Sequence, residues 1–275
     1  MPHKLRKHYR AVFISDLHLG FRGAKPQNLL SFLKSIECDT LFIVGDGFDL
    51  WAMNGWNLDC TSVVRRILKM MKHGTKVIYL PGNHDESIRH YLPLAFGEEL
   101  ILADEYVYTT LCGLTLLVIH GDIFDFVSKW LSHVGTHIYD FLIFCNHWVH
   151  KLRMLFGMKT YWSLSAYLKR KTKKALSAIR NFEDAVVRYA EKKNCAGVVC
   201  GHIHTATMTH RDGMLYVNCG DWVESLTAFV EHDDGKLEII HWHDTTKTGV
   251  EDFVQPAVLS GAGSEVEALP TDQEL

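Results

Sequence analysis

What most limits the fold of this chain is a set of short, almost wholly apolar runs: residues 11–15, 41–44, 77–80, 114–120 and 198–200. Each stops abruptly at polar turn residues. Near-continuous apolar character over so short a length is what strands covered on both faces require, because neither side has to meet water. Helical patterns lie between the first three. Residues 29–36 carry Leu29, Leu30, Phe32, Leu33 and Ile36 on one broad stripe, and residues 63–71 carry Val63, Val64, Ile67, Leu68 and Met71 at helical spacing. Buried strands alternating with amphipathic helices make an α/β chain. Further strand-like pieces follow at 215–218, 227–230 and 237–242.

The residues that end the runs carry the chemistry. They are Asp16-Leu17-His18, Gly45-Asp46-Gly47-Phe48-Asp49, Gly82-Asn83-His84-Asp85, Ile119-His120-Gly121-Asp122 and Gly201-His202-Ile203-His204. In α/β sheets the loops leaving the carboxyl ends of strands are where ligands gather. Each motif sets carboxylate, imidazole or amide donors beside a glycine, which lets the backbone turn sharply. Taken singly, each reads as turn chemistry: Gly-Asp and Gly-Asn are common turn pairs, and a histidine at a strand end is often a satisfied core residue. The His202/His204 pair says more, because residues i and i+2 of an extended segment point the same way. Five such motifs, each at a strand end, point to a metal centre. A phosphoester needs charge neutralised on its non-bridging oxygens and hydroxide near neutral pH, and two cations about 3.5–4 Å apart, joined by one carboxylate, supply both. This donor set suits Mn, Fe, Zn, Co or Ni.

In their order and content the five motifs resemble the calcineurin-like metallophosphoesterase superfamily, over roughly residues 11–242. That resemblance implies a four-layer αββα sandwich of two mixed sheets and two divalent metal ions, with Mn the first expectation. It assigns Asp16, His18, Asp46 and His204 to one metal, and Asp46, Asn83, His120 and His202 to the other, with Asp46 bridging. His84 becomes the catalytic residue beside the pair, stabilising the transition state or protonating the leaving oxygen. Asp49 or Asp85 orients ligands from behind.

Gly45-Asp46-Gly47-Phe48-Asp49-Leu50-Trp51, His120-Gly121-Asp122 and Gly220-Asp221-Trp222 further resemble the branch containing UDP-2,3-diacylglucosamine pyrophosphatase, which cleaves a nucleotide–sugar pyrophosphate in lipid A synthesis. That branch carries a helical insertion where residues 125–193 fall here. The expected organisation is a core of 10–124 and 194–245, a helical cap at 125–193, and a tail at 250–275 whose Ala, Gly, Ser and acidic composition is that of a disordered segment. Aromatic residues of the cap, among them Phe141, Phe144, Trp148 and Trp162, would line a channel for acyl chains, and Lys169, Arg170, Lys173 and Lys174 would meet pyrophosphate or lipid headgroups. The bland alternative is an ordinary helical core with a solvated basic face. One departure stands out: His84 occupies the place where that pyrophosphatase carries Arg, and Asp49 the place of a frequent Glu. Histidine can donate a proton at neutral pH and arginine cannot, so the departure points to a leaving group that needs one.

Composition excludes other classes. With 47% hydrophobic and 22% charged residues, 275 residues can bury a large core. Seven scattered cysteines, none in a C-x-x-C pair, fit thiols in a reducing cytoplasm and not a disulfide scaffold or zinc ribbon. No apolar run approaches the roughly 18–20 residues of a membrane span, so any membrane contact is expected to be peripheral, through the cap. The expected partner is a phosphorylated small molecule or lipid-linked substrate. Two rivals use the same residues. One is a phosphodiesterase or phosphomonoesterase on another substrate. The other is a catalytically dead scaffold, which the full ligand set and His84 argue against. A nuclease ranks last, since no aromatic ladder interleaves with the basic run and nucleic acid is not the expected partner.

Overall fold

The computed structural model describes residues 6–51, 53–124 and 164–242, and for 164–176 only the backbone. The apolar runs form strands as their composition requires. Strand β1 (Lys7–Ile14), helix α1 (Pro26–Ser35), β2 (Ile36–Val44), α2 (Leu58–Lys72) and β3 (Lys76–Leu80) alternate, with β1, β2 and β3 parallel. The short strands β4 (Leu94–Phe96) and β5 (Leu100–Leu102) follow, and then β6 (Glu105–Thr109), β7 (Thr115–Ile119), α3 (Leu164–Lys192), β8 (Gly197–Cys200), β9 (Thr207–Arg211), β10 (Met214–Asn218), β11 (Thr227–Glu231) and β12 (Leu237–His241). Local signals fix the helix starts: Pro26 sits at the first turn of α1, and the Asn57 side chain accepts from the N–H groups of Asp59 and Cys60 at the head of α2. Ile36, which the apolar stripe would continue into α1, instead opens β2 in extended conformation.

The strands form two mixed sheets. The first has the order β12-β11-β1-β2-β3-β5-β4 and the second β6-β7-β8-β10-β9. Alternation along each strand then sorts the apolar side chains into three layers. Ala11, Phe13, Phe42, Val44, Ile78 and Leu80 meet Leu116, Val118, Val199 and Val217 between the sheets. Their neighbours Val12, Ile14, Leu41, Ile43 and Val77 pack on Leu29, Phe32, Leu33 and Val63 of α1 and α2. On the far side Leu117, Ile119, Val198 and Tyr216 pack on Phe182, Val186, Val187 and Ala190 of α3. The result is the four-layer αββα sandwich. The back half of α3 thus belongs to the core, within the stretch assigned to the cap. Residues 125–163 of that stretch, and the tail at 250–275, lie outside the described residues.

Candidate metal centre

Parallel pairing of β1, β2 and β3 in one sheet and of β7 and β8 in the other brings the carboxyl ends of all five strands to one edge of the sandwich. Their loops are laced together by main-chain bonds: Asp16 N–H to Gly45 O (3.1 Å), His18 N–H to Asp46 O (2.9 Å), and Gly201 N–H to His120 O (3.2 Å). The backbone there is strained. Asp16, His18, Asp46, His202 and His204 all adopt the left-handed region, with φ between 44° and 71°, where a residue other than glycine is uncommon. Strain of this kind persists where surrounding contacts over-determine it, and it clusters at functional sites.

The two aspartates are held in the same way. Asp16 Oδ2 accepts from the His202 N–H at 2.9 Å, and Asp46 Oδ1 accepts from the His84 N–H at 2.8 Å. Each carboxylate so fixed turns its other oxygen into the cluster. Asp16 Oδ1 lies 3.1 Å from His204 Nε2, which is itself 3.4 Å from His18 Nε2. Asp46 Oδ2 lies 3.8 Å from His18 Nε2 and 3.5 Å from His120 Nε2. His120 Nδ1 donates to Val44 O at 3.0 Å, so its Nε2 faces the cluster, the second-layer arrangement that orients a metal-binding imidazole.

Electrostatics follow from this crowding. Burial alone would raise the pKa of Asp46, but His120 and His18 hold it below the ordinary range; Asp16 is lowered in the same way by His204. Burial opposes charge on His120 and His204 too, yet the facing Asp46 and Asp16 carboxylates raise them to about 10 and about 9. His18 goes the other way, lowered by burial, which its two carboxylates do not offset. Cationic charge is therefore what the cluster calls for. The residues fit divalent ions: Asn83 Oδ1 and His120 Nε2 are buried without a hydrogen-bond partner. Three sets, Asp16/His18/His204, His18/Asp46/His84 and Asp16/Asp46/His120, each bring their donor atoms within 4.8 Å of one another.

Asp16, His18, Asp46, His84, His120 and His204 thus come together. Asn83 lies on the adjoining loop. The His202 ring packs edge-on to His120 with centroids 5.1 Å apart, outside those three sets. His84 presents Nδ1 3.3 Å from Asp49 Oδ1; burial lowers its pKa, and the carboxylates of Asp49 and Asp46 outweigh that and raise it. The two candidate orienting aspartates have different jobs. Asp49 stands behind His84 and His18 (3.8 Å). Asp85 is a clamp: it accepts from the N–H groups of Gly47 (2.9 Å), Phe48 (3.2 Å) and Gly82 (2.6 Å) and from the Tyr79 hydroxyl. Lys169, Arg170, Lys173 and Lys174 fall on the front half of α3, where side chains are not described.

A family model described as calcineurin-like phosphoesterase matches residues 9–206, the stretch that carries all five motifs. The chain belongs to the calcineurin-like phosphoesterase family. Similar proteins include UDP-2,3-diacylglucosamine hydrolase of Psychromonas ingrahamii, 26% identical over 248 residues and covering 84% of this chain and 96% of that one. The Aliivibrio fischeri enzyme of the same name is 24% identical over 240 residues, with coverages of 84% and 97%. Among solved structures, vacuolar protein sorting 29 from Cryptosporidium parvum superposes with a TM-score of 0.38 at 14% identity, over 84% of this chain and 94% of that one; so loose a likeness bears on neither substrate nor chemistry. As a calcineurin-like phosphoesterase the chain is a phosphoester hydrolase, a family that works with divalent metals.

Sequence reasoning missed several residues at this centre. The Trp51 ring lies on His84 with centroids 4.1 Å apart. Asn218 ties the His202 loop to the Gly220 loop, donating to Gly201 O at 2.6 Å and accepting from Gly220 N–H at 3.0 Å. Arg89 grips Asp122 from the loop after β3. No local pattern could have pointed to Arg89, which stands alone six residues past Asn83.

Proposed function

We propose that this phosphoesterase uses two divalent metals, Mn first among them, to hydrolyse the pyrophosphate bond of a nucleotide-sugar lipid resembling UDP-2,3-diacylglucosamine. The observation that carries the two-metal reading is Asp46: one oxygen is pinned by a backbone N–H, and the other stands between His18 of the first sheet and His120 of the second. Asp16, His18, Asp46 and His204 would hold one ion, and Asp46, Asn83, His120 and His202 the other. Two such ions neutralise phosphoryl charge and supply hydroxide near neutral pH. The protein's own part is to fix the ligands and exclude alternatives. Asp49 orients His84 through Nδ1, leaving its Nε2 to stabilise the transition state or to protonate the leaving oxygen. Lys169, Arg170, Lys173 and Lys174, with the aromatic segment of 125–163, would recognise the pyrophosphate and acyl chains.

The substrate part rests on the relatives' names and their near full-length coverage. It is tested by comparing turnover of UDP-diacylglucosamine, cyclic nucleotides and phosphopeptides with Mn present. Preference for the first is expected; preference for either other class would overturn it. Asp46→Ala and His204→Ala should each lower kcat/KM by about three orders of magnitude or more with the fold intact, and turnover that survives either change rejects the assigned roles. If His84 is the acid, His84→Arg removes the alkaline limb of the pH–rate profile, whereas an unchanged profile leaves it only an electrostatic part.

A further inference from the structure

The proposed second metal draws its donors from both sheets. Asn83 follows β3 of the first sheet, whereas His120 and His202 follow β7 and β8 of the second. Something must hold these loops at a fixed separation, and the tolerance is small. A Cβ on Gly82, next to Asn83, would stand 2.7 Å from His120 Nε2. The two loops are already in contact, so a shift of a few tenths of an ångström moves donors in or out of range.

Arg89 spans that seam. It lies on the 3-10 turn Glu86–Tyr91 behind the Gly82-Asn83-His84 loop. Its Nη1 donates to Asp122 Oδ2 at 2.7 Å and its Nη2 to Asp122 Oδ1 at 2.8 Å, a two-point fork onto a carboxylate two residues past His120. The same Nη2 donates to Pro81 O at 2.8 Å, immediately before Gly82, and Nε lies 3.3 Å from Asp104 Oδ1 on the crossover between the sheets. All three guanidinium nitrogens are thereby engaged, which leaves Arg89 unsuited to gripping a substrate phosphate. Asp122 in turn is buried. The Arg89–Asp122 pair therefore joins the loop that carries Asn83 to the loop that carries His120.

We infer that Arg89 is a positioning residue for the second metal: by clamping Pro81 and Asp122 together it sets the distance between the Asn83 loop and the His120 loop, to which the His202 loop is tied by the Gly201 N–H to His120 O bond. This rests on the two-metal reading above. Only a planar fork can bond both oxygens of Asp122 and Pro81 at once, so lysine cannot replace it.

The test is Mn loading of the full chain followed by electron paramagnetic resonance and metal titration. Wild type should bind two Mn per chain and give the signal of a spin-coupled pair. Arg89→Lys should keep its melting temperature within a few degrees yet bind the second Mn about 10- to 100-fold more weakly, with the six-line signal of an isolated Mn replacing the coupled one at limiting metal. Asp122→Asn should do the same through the other partner, while Asp104→Ala, whose side chain is 61% exposed, should leave both affinities unchanged. A coupled pair in Arg89→Lys and Asp122→Asn, with affinities within about twofold of wild type, overturns the positioning role and leaves the two-metal reading standing. A wild type that binds one Mn, or two that are uncoupled, removes both.

Discussion

If His120 and His204 hold the proposed metals, protons and metals compete for the same atoms there. In the metal-free protein the facing carboxylates hold these imidazoles protonated up to about pH 10 and about pH 9, while Asp16 and Asp46 are lowered and His18 is lowered. Ligation needs neutral imidazole and ionised carboxylate, so at pH 7.5 His120 and His204 each have a proton to give up. Binding of the proposed metal pair should release about two protons per chain, and apparent affinity should climb with pH until about 10. Titration calorimetry in two buffers of different ionisation enthalpy measures this directly, and a release near zero would contradict the charge assignment. The sign carries to stability. A histidine raised above its unfolded value of about 6.5 stabilises the metal-free fold fully below that pH, and the contribution is lost as pH rises through the folded value. The melting temperature of the metal-free protein should therefore fall between about pH 6.5 and about pH 10, and the metal-loaded protein should not share that fall. At this scale the residues that cluster were legible in the sequence as motif residues, but their charge states were not. Those depend on which oxygen faces which nitrogen, and Asp46 Oδ2 meets His120 and His18 only because His84 N–H occupies Oδ1.

Loops are where a readable pattern and its physical reason part company. Glycine beside each ligand reads as a device for turning the chain, and at Gly45, with φ of +81°, the backbone does need it. Gly82 and Gly201 have no positive φ; what they provide is room. A Cβ on Gly82 would run into the Asp46 carboxylate and lie 2.6 Å from its N–H, and one on Gly201 would lie 2.5 Å from Asp16 Oδ2. Gly82→Ala should therefore cost roughly 1–3 kcal/mol, the usual penalty for overpacking, and should cut kcat by pushing Asp46 and His120 apart. Gly113 is the control, with φ of +80° and nothing within 4 Å. Gly113→Ala should cost roughly 1–2 kcal/mol through backbone strain alone and leave kcat unchanged. Thermal denaturation with steady-state rates separates the two, and equal kcat in both variants would reject the packing account of Gly82. The strands obey the same division. β1, β2, β3, β7, β8, β10 and β11 were legible because both their faces are largely buried, and the edge strand β12 because it is rich in apolar residues. The edge strands β4, β6 and β9 and the three-residue β5 were not: Thr207–Arg211 is polar apart from Met208 and mostly exposed, and Leu94–Phe96 is too short to show a period. Arg89 lies in the same blind spot, since its meaning comes from a partner in another sheet.

Two stacked sheets sending their loops to one cluster is a property of the described chain as a whole, and it decides what can be removed. The sequence could not say which of Val12 and Phe13 faces the other sheet, because both are apolar; the pleat assigns Phe13 to the inter-sheet core and Val12 to the helices. Nor could it say where the insertion ends. Phe182, Val186, Val187 and Ala190 of α3 close the outer face of the second sheet, and Tyr189 donates to Glu105 of β6 at 2.8 Å. Cutting into that half exposes core, and burying a side chain of that size is worth roughly 1.5–3 kcal/mol, so truncations past residue 180 should unfold the protein. Replacing residues 130–160 by a short Gly-Ser linker spares every contact named here. It should leave the melting temperature within a few degrees and turnover of a small chromogenic phosphodiester within about threefold, because the loops that carry the donors stay anchored in the two sheets. Turnover of an acylated substrate should fall by tenfold or more if the excised stretch supplies the acyl-chain surface, the free energy of covering even two or three methylenes being about 0.8 kcal/mol each. Equal losses on both substrates would place acyl recognition elsewhere, and the exposed Phe21, Leu50, Trp51 and Met53 on the loops after β1 and β2 would be the next surface to alter.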